Sequence, residues 1–321
     1  MSEEINLKLE AGVSLPGEGP LQIGASVWLP ENTAPSVTFV CLAGGNMNRR
    51  YYDLATPDGD ESFSFAKQMT ARGYAVIALD HLGLGDSSKP ADGHALSPDL
   101  LTRANVHVSA TLLGKLRSGT LAPGVAALPN LISIGVGHSM GAMMTVLQQY
   151  ATQQHAAIAL LGFSTRGLPE YLPPAVKELA PDQQRAQVPH YAKKMFPEPY
   201  PVIKSRGGGG DIYGSAKVDP KGVQALKSAT DCLIPQGAFM SMLPNNVGPE
   251  AAEIAVPVFL GLGERDMAGP PHAVPAAFPK SFDVTLHIIP ETGHSHFLFP
   301  TRTGLFDRLA AWGRMFGGGK G

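Results

Sequence analysis

Long apolar runs, cysteine and clustered charge are all scarce in this chain, and each scarcity removes a class of function. No uninterrupted apolar stretch in its 321 residues reaches the roughly 20 positions that a membrane-spanning helix needs, so no membrane span is expected. Only two cysteines are present. Cys41 falls in the apolar run Val37 to Leu42 and Cys232 in a stretch with a helical pattern. Both are read as buried apolar fillers rather than as a disulfide or metal pair. Charged residues make up 16% with a net charge of −2, and no basic run extends beyond Arg49-Arg50 or Lys193-Lys194, so nucleic acid is not an expected partner. The opening residues MSEEINLKLE are acidic and lack the apolar core of a signal peptide, so a cytoplasmic location is expected. The 10 histidines show no ligand-like spacing with carboxylates, and no metal site is expected.

What is present is the composition of a globular enzyme-sized chain. Apolar residues reach 44%, enough to bury a large core, and the length suits one large α/β domain with an insertion or two ordinary domains. Short apolar runs at Val37 to Leu42, Tyr74 to Leu79, Leu131 to Val136, Ala156 to Leu161, Val256 to Leu262 and Val284 to Ile289 read as buried parallel strands. Helical patterns over 62–72, 97–117 and 303–316 lie between or after them. Alternating strands and helices predict a mostly parallel sheet covered by helices on both faces. Residues 5–29 alternate weakly about the turn Pro16 to Pro20 and predict an antiparallel hairpin at the sheet edge. The final GGGKG reads as a frayed tail.

The rhythm breaks once. Roughly ninety residues separate the run ending at Leu161 from the one starting at Val256, far more than a crossover needs. This stretch is rich in proline, contains Gly207-Gly208-Gly209-Gly210, and shows helical patterns near 182–195, 219–231 and 235–243. It predicts an inserted lid over 165–255, on a core of 1–164 and 256–321. Leu233, Phe239, Met240, Met242 and Leu243 are candidates for its pocket-facing side. The glycine run follows no buried strand and no Gly-Lys-Ser/Thr ends it, so it reads as a hinge rather than a phosphate loop.

The chemistry centres on Gly137-His138-Ser139-Met140-Gly141. A buried strand precedes this pentapeptide and an apolar helical pattern (Ala142, Met143, Val146, Leu147, Tyr150) follows it, the strand–turn–helix setting of a nucleophile elbow. The turn brings the residues two before and two after the serine close together, where only very small residues fit. A serine hydroxyl is a weak nucleophile near neutral pH and needs a base, itself oriented by a carboxylate. Asp266 lies just past the carboxyl end of one strand, and His294 and His296 lie in the loop after the next. Strand ends at one sheet edge converge, so Ser139, Asp266 and His294 can meet.

On these residues the chain resembles the α/β-hydrolase fold enzymes, specifically the lid-bearing serine hydrolases, over nearly its whole length apart from the lid. The order Ser…Asp…His is theirs. Asp80 to Ser87 resembles the family's D-x-x-G-x-G-x-S loop, Leu42-Ala43-Gly44-Gly45-Asn46 its oxyanion loop, and Gly293-His294 its catalytic Gly-His. The usual histidine of the oxyanion loop is replaced by Gly44. The resemblance implies a cofactor-free ester hydrolase with Ser139 as nucleophile, His294 as base and Asp266 as its orienting acid. It also implies an oxyanion hole formed by the N–H of Met140 and that of Gly45 or Asn46.

His138, His81, Phe239 and Met240 are candidate substrate contacts. Asp80 and Asp86 are read as loop-bracing groups, Arg49 and Arg50 as structural ion-pair members, and His287 as a structural histidine. The expected partner is a small apolar acyl or ester-type molecule, with a homo-oligomer left open. Two other readings stand beside ester hydrolysis: a carbon–carbon bond hydrolase or lyase on the same fold, and a non-catalytic ligand-binding relative.

Overall fold

The computed structural model describes residues 4–203 and 217–317. Eight strands form one sheet: β1 (Glu4–Glu10), β2 (Gln22–Trp28), β3 (Val37–Leu42), β4 (Ala75–Leu79), β5 (Ile132–His138), β6 (Ala157–Leu161), β7 (Val258–Gly263) and β8 (Val284–Ile289). Their spatial order is β1-β2-β4-β3-β5-β6-β7-β8. The hairpin β1–β2 and the pair β2–β4 are antiparallel, and every pairing from β4 across to β8 is parallel. This is the mostly parallel sheet with an antiparallel edge hairpin that the alternation of strands and helices predicts.

Side-chain alternation along each strand divides the core into two layers. Val40 and Leu42 of β3 and Ile77 and Leu79 of β4 face helices α2 (Pro98–Ser118) and α3 (Met140–Thr152). Phe39, Cys41, Val76 and Ala78 face the opposite layer, with α1 (Phe65–Thr70) and the helix Arg302–Gly313. The edge strand β1 alternates exposed and half-buried residues, as a strand with one wetted face should. Helix α2 starts where Ser97 Oγ accepts the Leu100 N–H ahead of Pro98, and ends at Gly119 with φ of 70°.

Between β6 and β7 the described residues carry short helices at Pro174–Lys177, Pro181–Ala186, Val188–Met195, Pro220–Leu226, Pro235–Met242 and Gly248–Ala252. Several expectations need correction here. The pattern over 182–195 is two helices parted at Gln187, because Pro189 cannot donate to a continuing ladder. The helix predicted over 219–231 ends at Leu226, and Cys232 lies in extended chain. Tyr150, placed on the apolar side of α3, is 52% exposed. The glycine run Gly207 to Gly210 lies outside the described residues. Among the described residues no helix is long and apolar enough to cross a membrane.

Candidate active site

The site begins with the way β5 turns into α3. Ser139 holds φ of 55° and ψ of −121°, a strained conformation for a residue with a side chain. The flanking glycines make that turn sterically feasible. A Cβ on Gly137 would overlap Ala142 and the Gly141 carbonyl, and one on Gly141 would overlap the carbonyls of Leu42 and Ala43. Ser139 caps α3 without spending its hydroxyl on the helix. The Oγ is therefore available to a partner outside the elbow.

That partner is His294. Its Nε2 lies 2.8 Å from Ser139 Oγ, and its Nδ1 lies 2.7 Å from Asp266 Oδ1. The contact with Asp266 fixes the neutral tautomer: Nδ1–H donates to the carboxylate, leaving Nε2 to accept from the serine. The loops carrying both residues are tied together. The Arg265 N–H donates to the Thr292 carbonyl at 2.9 Å, and Gly263 approaches Thr292 too closely for any side chain.

Asp266 carries a second imidazole. Its Oδ2 accepts from His296 Nε2 at 2.9 Å, while Oδ1 also accepts the Ala268 N–H at 2.9 Å. Burial favours the neutral acid, but His294 and His296 outweigh it and hold the carboxyl well below its ordinary range. His138 closes the cluster. Its Nε2–H donates to the His294 carbonyl at 2.9 Å, and its ring stacks on Tyr51 at 4.6 Å. Burial, reinforced by the two neighbouring histidines, keeps His138 well below its usual range and so neutral.

Facing Ser139 from the end of β3 is a tight turn from Gly44 to Met47, closed by Met47 N–H donating to the Gly44 carbonyl at 3.3 Å. Asn46 takes φ of 54° within it. A Cβ on Gly44 would lie 3.1 Å from Ser139 Cβ and 2.9 Å from His138 Nδ1, which explains glycine where the family usually has histidine. Met140 opens α3, where the first N–H groups lack intrahelical partners and favour developing negative charge.

A cavity of about 370 Å³ opens over these groups. Ser139, His294, Met140, Gly45, Asn46 and His138 line it. Its remaining wall is largely apolar and holds five more of the chain's 11 methionines, so it can adapt to varied apolar shapes. No Asp, Glu, Lys or Arg is among the described lining residues. Among the described residues no group of three His, Cys, Asp or Glu could hold a metal ion.

Three expected substrate contacts lie elsewhere. His81 is buried between the Ala43 carbonyl at 3.2 Å and Asn105 at 3.0 Å, and burial pushes it down to about 4. It braces the strand ends rather than the cavity wall. On the helix Pro235–Met242, the cavity side carries Ala238, Ser241 and Met242, at the i, i+3, i+4 spacing of one face. Phe239 and Met240 therefore point into the core, where Phe239 stacks on Tyr191. Leu243, another candidate for that roof, is likewise core, whereas Leu233 lines the cavity.

Arg49 is buried and pairs with Asp80 and Asp86, and Asp80 also accepts the N–H groups of Arg49 at 2.7 Å and Asp86 at 2.9 Å. Sequence reasoning missed Gly162, directly after β6, with φ of 59°. A Cβ there would sit 3.0 Å from His294 Cε1 and 3.3 Å from Asp266 Oδ2. A lone glycine at a strand's carboxyl end was the available signal. It also missed Asp231, for which the sequence offered none.

Residues 39–303 match the model of the alpha/beta hydrolase family. No curated protein sequence matches the chain. Several solved structures are similar in fold. A lipase in an open form aligns with a TM-score of 0.68 and 17% identity, over 99% of this chain and 100% of that one. A monoacylglycerol lipase from Paleococcus ferrophilus gives 0.62 and 16%, over 93% and 100%. A bromoperoxidase from Bacillus anthracis gives 0.59 and 13%, over 97% and 100%. At such identities the likeness establishes architecture alone.

Proposed function

The chain belongs to the alpha/beta hydrolase family, and from that premise we propose that it is a serine hydrolase of uncharged, apolar carboxylic esters. The observation that carries this reading is the continuous chain of contacts from Ser139 through His294 to Asp266 at the floor of a cavity whose described lining residues include no Asp, Glu, Lys or Arg. Ser139 Oγ attacks the ester carbonyl while His294 Nε2 takes its proton. Asp266 stabilises the imidazolium that forms, and does so as a carboxylate because its two histidines keep it ionised. The N–H groups of Met140 and of Gly45 or Asn46 receive the oxyanion. His294 then protonates the departing alcohol, and water activated by the same imidazole frees the acid.

Residues 165–255 serve in this reading as a lid domain on a core of 1–164 and 256–321, with Leu233 and Met242 in its roof. A cytoplasmic location and the absence of a cofactor complete it. Lipases and an esterase among the structurally similar proteins agree with the ester chemistry, while the bromoperoxidase shows that the fold serves other reactions.

A panel of p-nitrophenyl esters of increasing acyl length tests the proposal. A burst of p-nitrophenol followed by steady turnover is expected, favouring neutral acyl chains over those ending in a carboxylate. No burst and no turnover with any ester would point instead to carbon–carbon bond cleavage.

A further inference from the structure

The stretch between β6 and β7 does more than cover the cavity. Residues 229–232 run antiparallel against the turn that carries Gly45 and Asn46, with Met47 and Thr230 forming a β-bridge. The Asn48 N–H donates to the Ala229 carbonyl at 2.9 Å, and the Asp231 N–H to the Asn46 carbonyl at 2.8 Å. The Asp231 carboxylate gathers the surroundings. Its Oδ2 accepts the Gly85 N–H at 2.8 Å and Asn48 Nδ2 at 3.3 Å, and its Oδ1 accepts the Cys232 N–H at 2.8 Å. The Asn48 amide is turned to reach it because its Oδ1 accepts the Arg50 N–H at 3.1 Å.

We propose that Asp231 is the positioning residue of the oxyanion turn, through which the inserted segment sets the catalytic donor of the core; this rests on the hydrolase reading above. The backbone geometry gives the reason. Asn46 sits at φ of 54°, a conformation that a residue with a side chain adopts only when its surroundings enforce it. The bond from Asp231 N–H holds the carbonyl of the 46–47 peptide, and the Met47-to-Gly44 bond closes the turn on its other side. With both peptide planes held, the direction of the 45–46 N–H is fixed. Asp231 in turn is held by Gly85, in the loop that Asp80 and Arg49 brace. Leu233, two residues on, packs against Gly45, where an added Cβ would lie 3.2 Å from its Cδ2. Removing the carboxylate frees Gly85, Asn48 and Cys232 from their shared acceptor and loosens the strand that holds Asn46.

The test compares wild type, Asp231→Asn and Asp231→Ala on p-nitrophenyl butyrate, with kcat expressed per site titrated by a fluorophosphonate. Loss of folded protein then does not count as loss of catalysis. Phenylboronic acid supplies the second readout, since it adds to a serine Oγ to form a tetrahedral anion that needs the same donors. Deleting an oxyanion donor outright costs about a hundred- to a thousandfold, so misaligning one should cost Asp231→Ala about ten- to a hundredfold in kcat. KM should stay within about twofold, and the Ki of phenylboronic acid should rise by the factor that kcat/KM falls. Asp231→Asn keeps the shape and one acceptor oxygen and should recover part of the loss. It also carries the test if Asp231→Ala does not fold. Variants with wild-type kcat per site, or with a boronate Ki that does not follow kcat/KM, overturn the inference. Failure of wild type itself to turn over esters or to bind the boronate would instead overturn the hydrolase reading on which it rests.

Discussion

Acidification should unfold this protein steeply between about pH 6 and pH 4.5, because three fully buried histidines cannot accept protons in the folded chain. Burial pushes His81 and His155 each down to about 4, and burial with its two histidine neighbours holds His138 well below its usual range. Unfolded, all three return to the ordinary histidine pKa of about 6.5. Each depressed base leaves the folded state under-protonated, so its stabilising effect is complete above about pH 6.5 and is lost as pH falls toward the folded value. One proton is worth about 1.4 kcal/mol per pH unit, so three give a slope near 4 kcal/mol per unit once the unfolded imidazoles are charged. Native domains hold about 5–15 kcal/mol in total, so one and a half to two units of acidification should consume much of it. Asp266, held low, adds its own loss only below about pH 4, whereas Asp80, raised by burial, partly opposes the trend above that pH, where it takes up a proton in the folded chain before the unfolded one does. Urea titrations at half-unit steps from pH 7.5 to 4.5 measure the slope directly. His155→Gln, remote from the site, should reduce it by about a third. A midpoint that stays flat from pH 7 to 5 would refute the reasoning.

The two histidines of one loop should separate cleanly. His294→Ala removes the base and should cost kcat about four to six orders of magnitude. His296→Ala leaves the base in place but strips Asp266 Oδ2 of its partner, and should cost about tenfold in kcat and about 1–3 kcal/mol in stability. Kinetics and urea unfolding of the two purified variants check this, and a reversed ranking would move the base to His296. Gly162→Ala should lower kcat at least about tenfold with a stability loss of only about 1–2 kcal/mol, because its Cβ presses on His294 Cε1. Steady-state kinetics alongside thermal melting measure both quantities, and an unaltered kcat would show that the imidazole has room to yield.

The sheet was legible wherever burial on both faces leaves a continuous apolar run. Val37 to Leu42, buried throughout, was read to the residue; so was Val284 to Ile289, although this edge strand, expected to be buried, is half-buried over most of its length, and other strands differ by one or two positions at one or both ends. The elbow was legible because its two glycines answer to steric demands that no other residue meets. Legibility fell where tertiary packing decides which face of a helix looks inward. Phe239 and Met240 are as apolar as Met242, and only the placement of their helix against Tyr191 turns them away from the cavity. Asp231 was invisible for a different reason. Its partners Asn48 and Gly85 lie far off in sequence, and a half-buried acid in a proline-rich insertion has no local pattern to mark it. His296 stands between these cases, since its loop was identified but its hold on the second oxygen of Asp266 depends on how two strand-end loops meet in space.

The central claim is that the Ser139 hydroxyl is an activated nucleophile. Mass-spectrometric mapping of the protein after treatment with a fluorophosphonate tests it most directly. A single covalent adduct on the peptide containing Ser139 is expected, absent from Ser139→Ala, which should lose about four to six orders of magnitude in kcat while remaining folded by circular dichroism. An adduct elsewhere, no adduct at all, or a folded Ser139→Ala retaining about a tenth of wild-type turnover would contradict it.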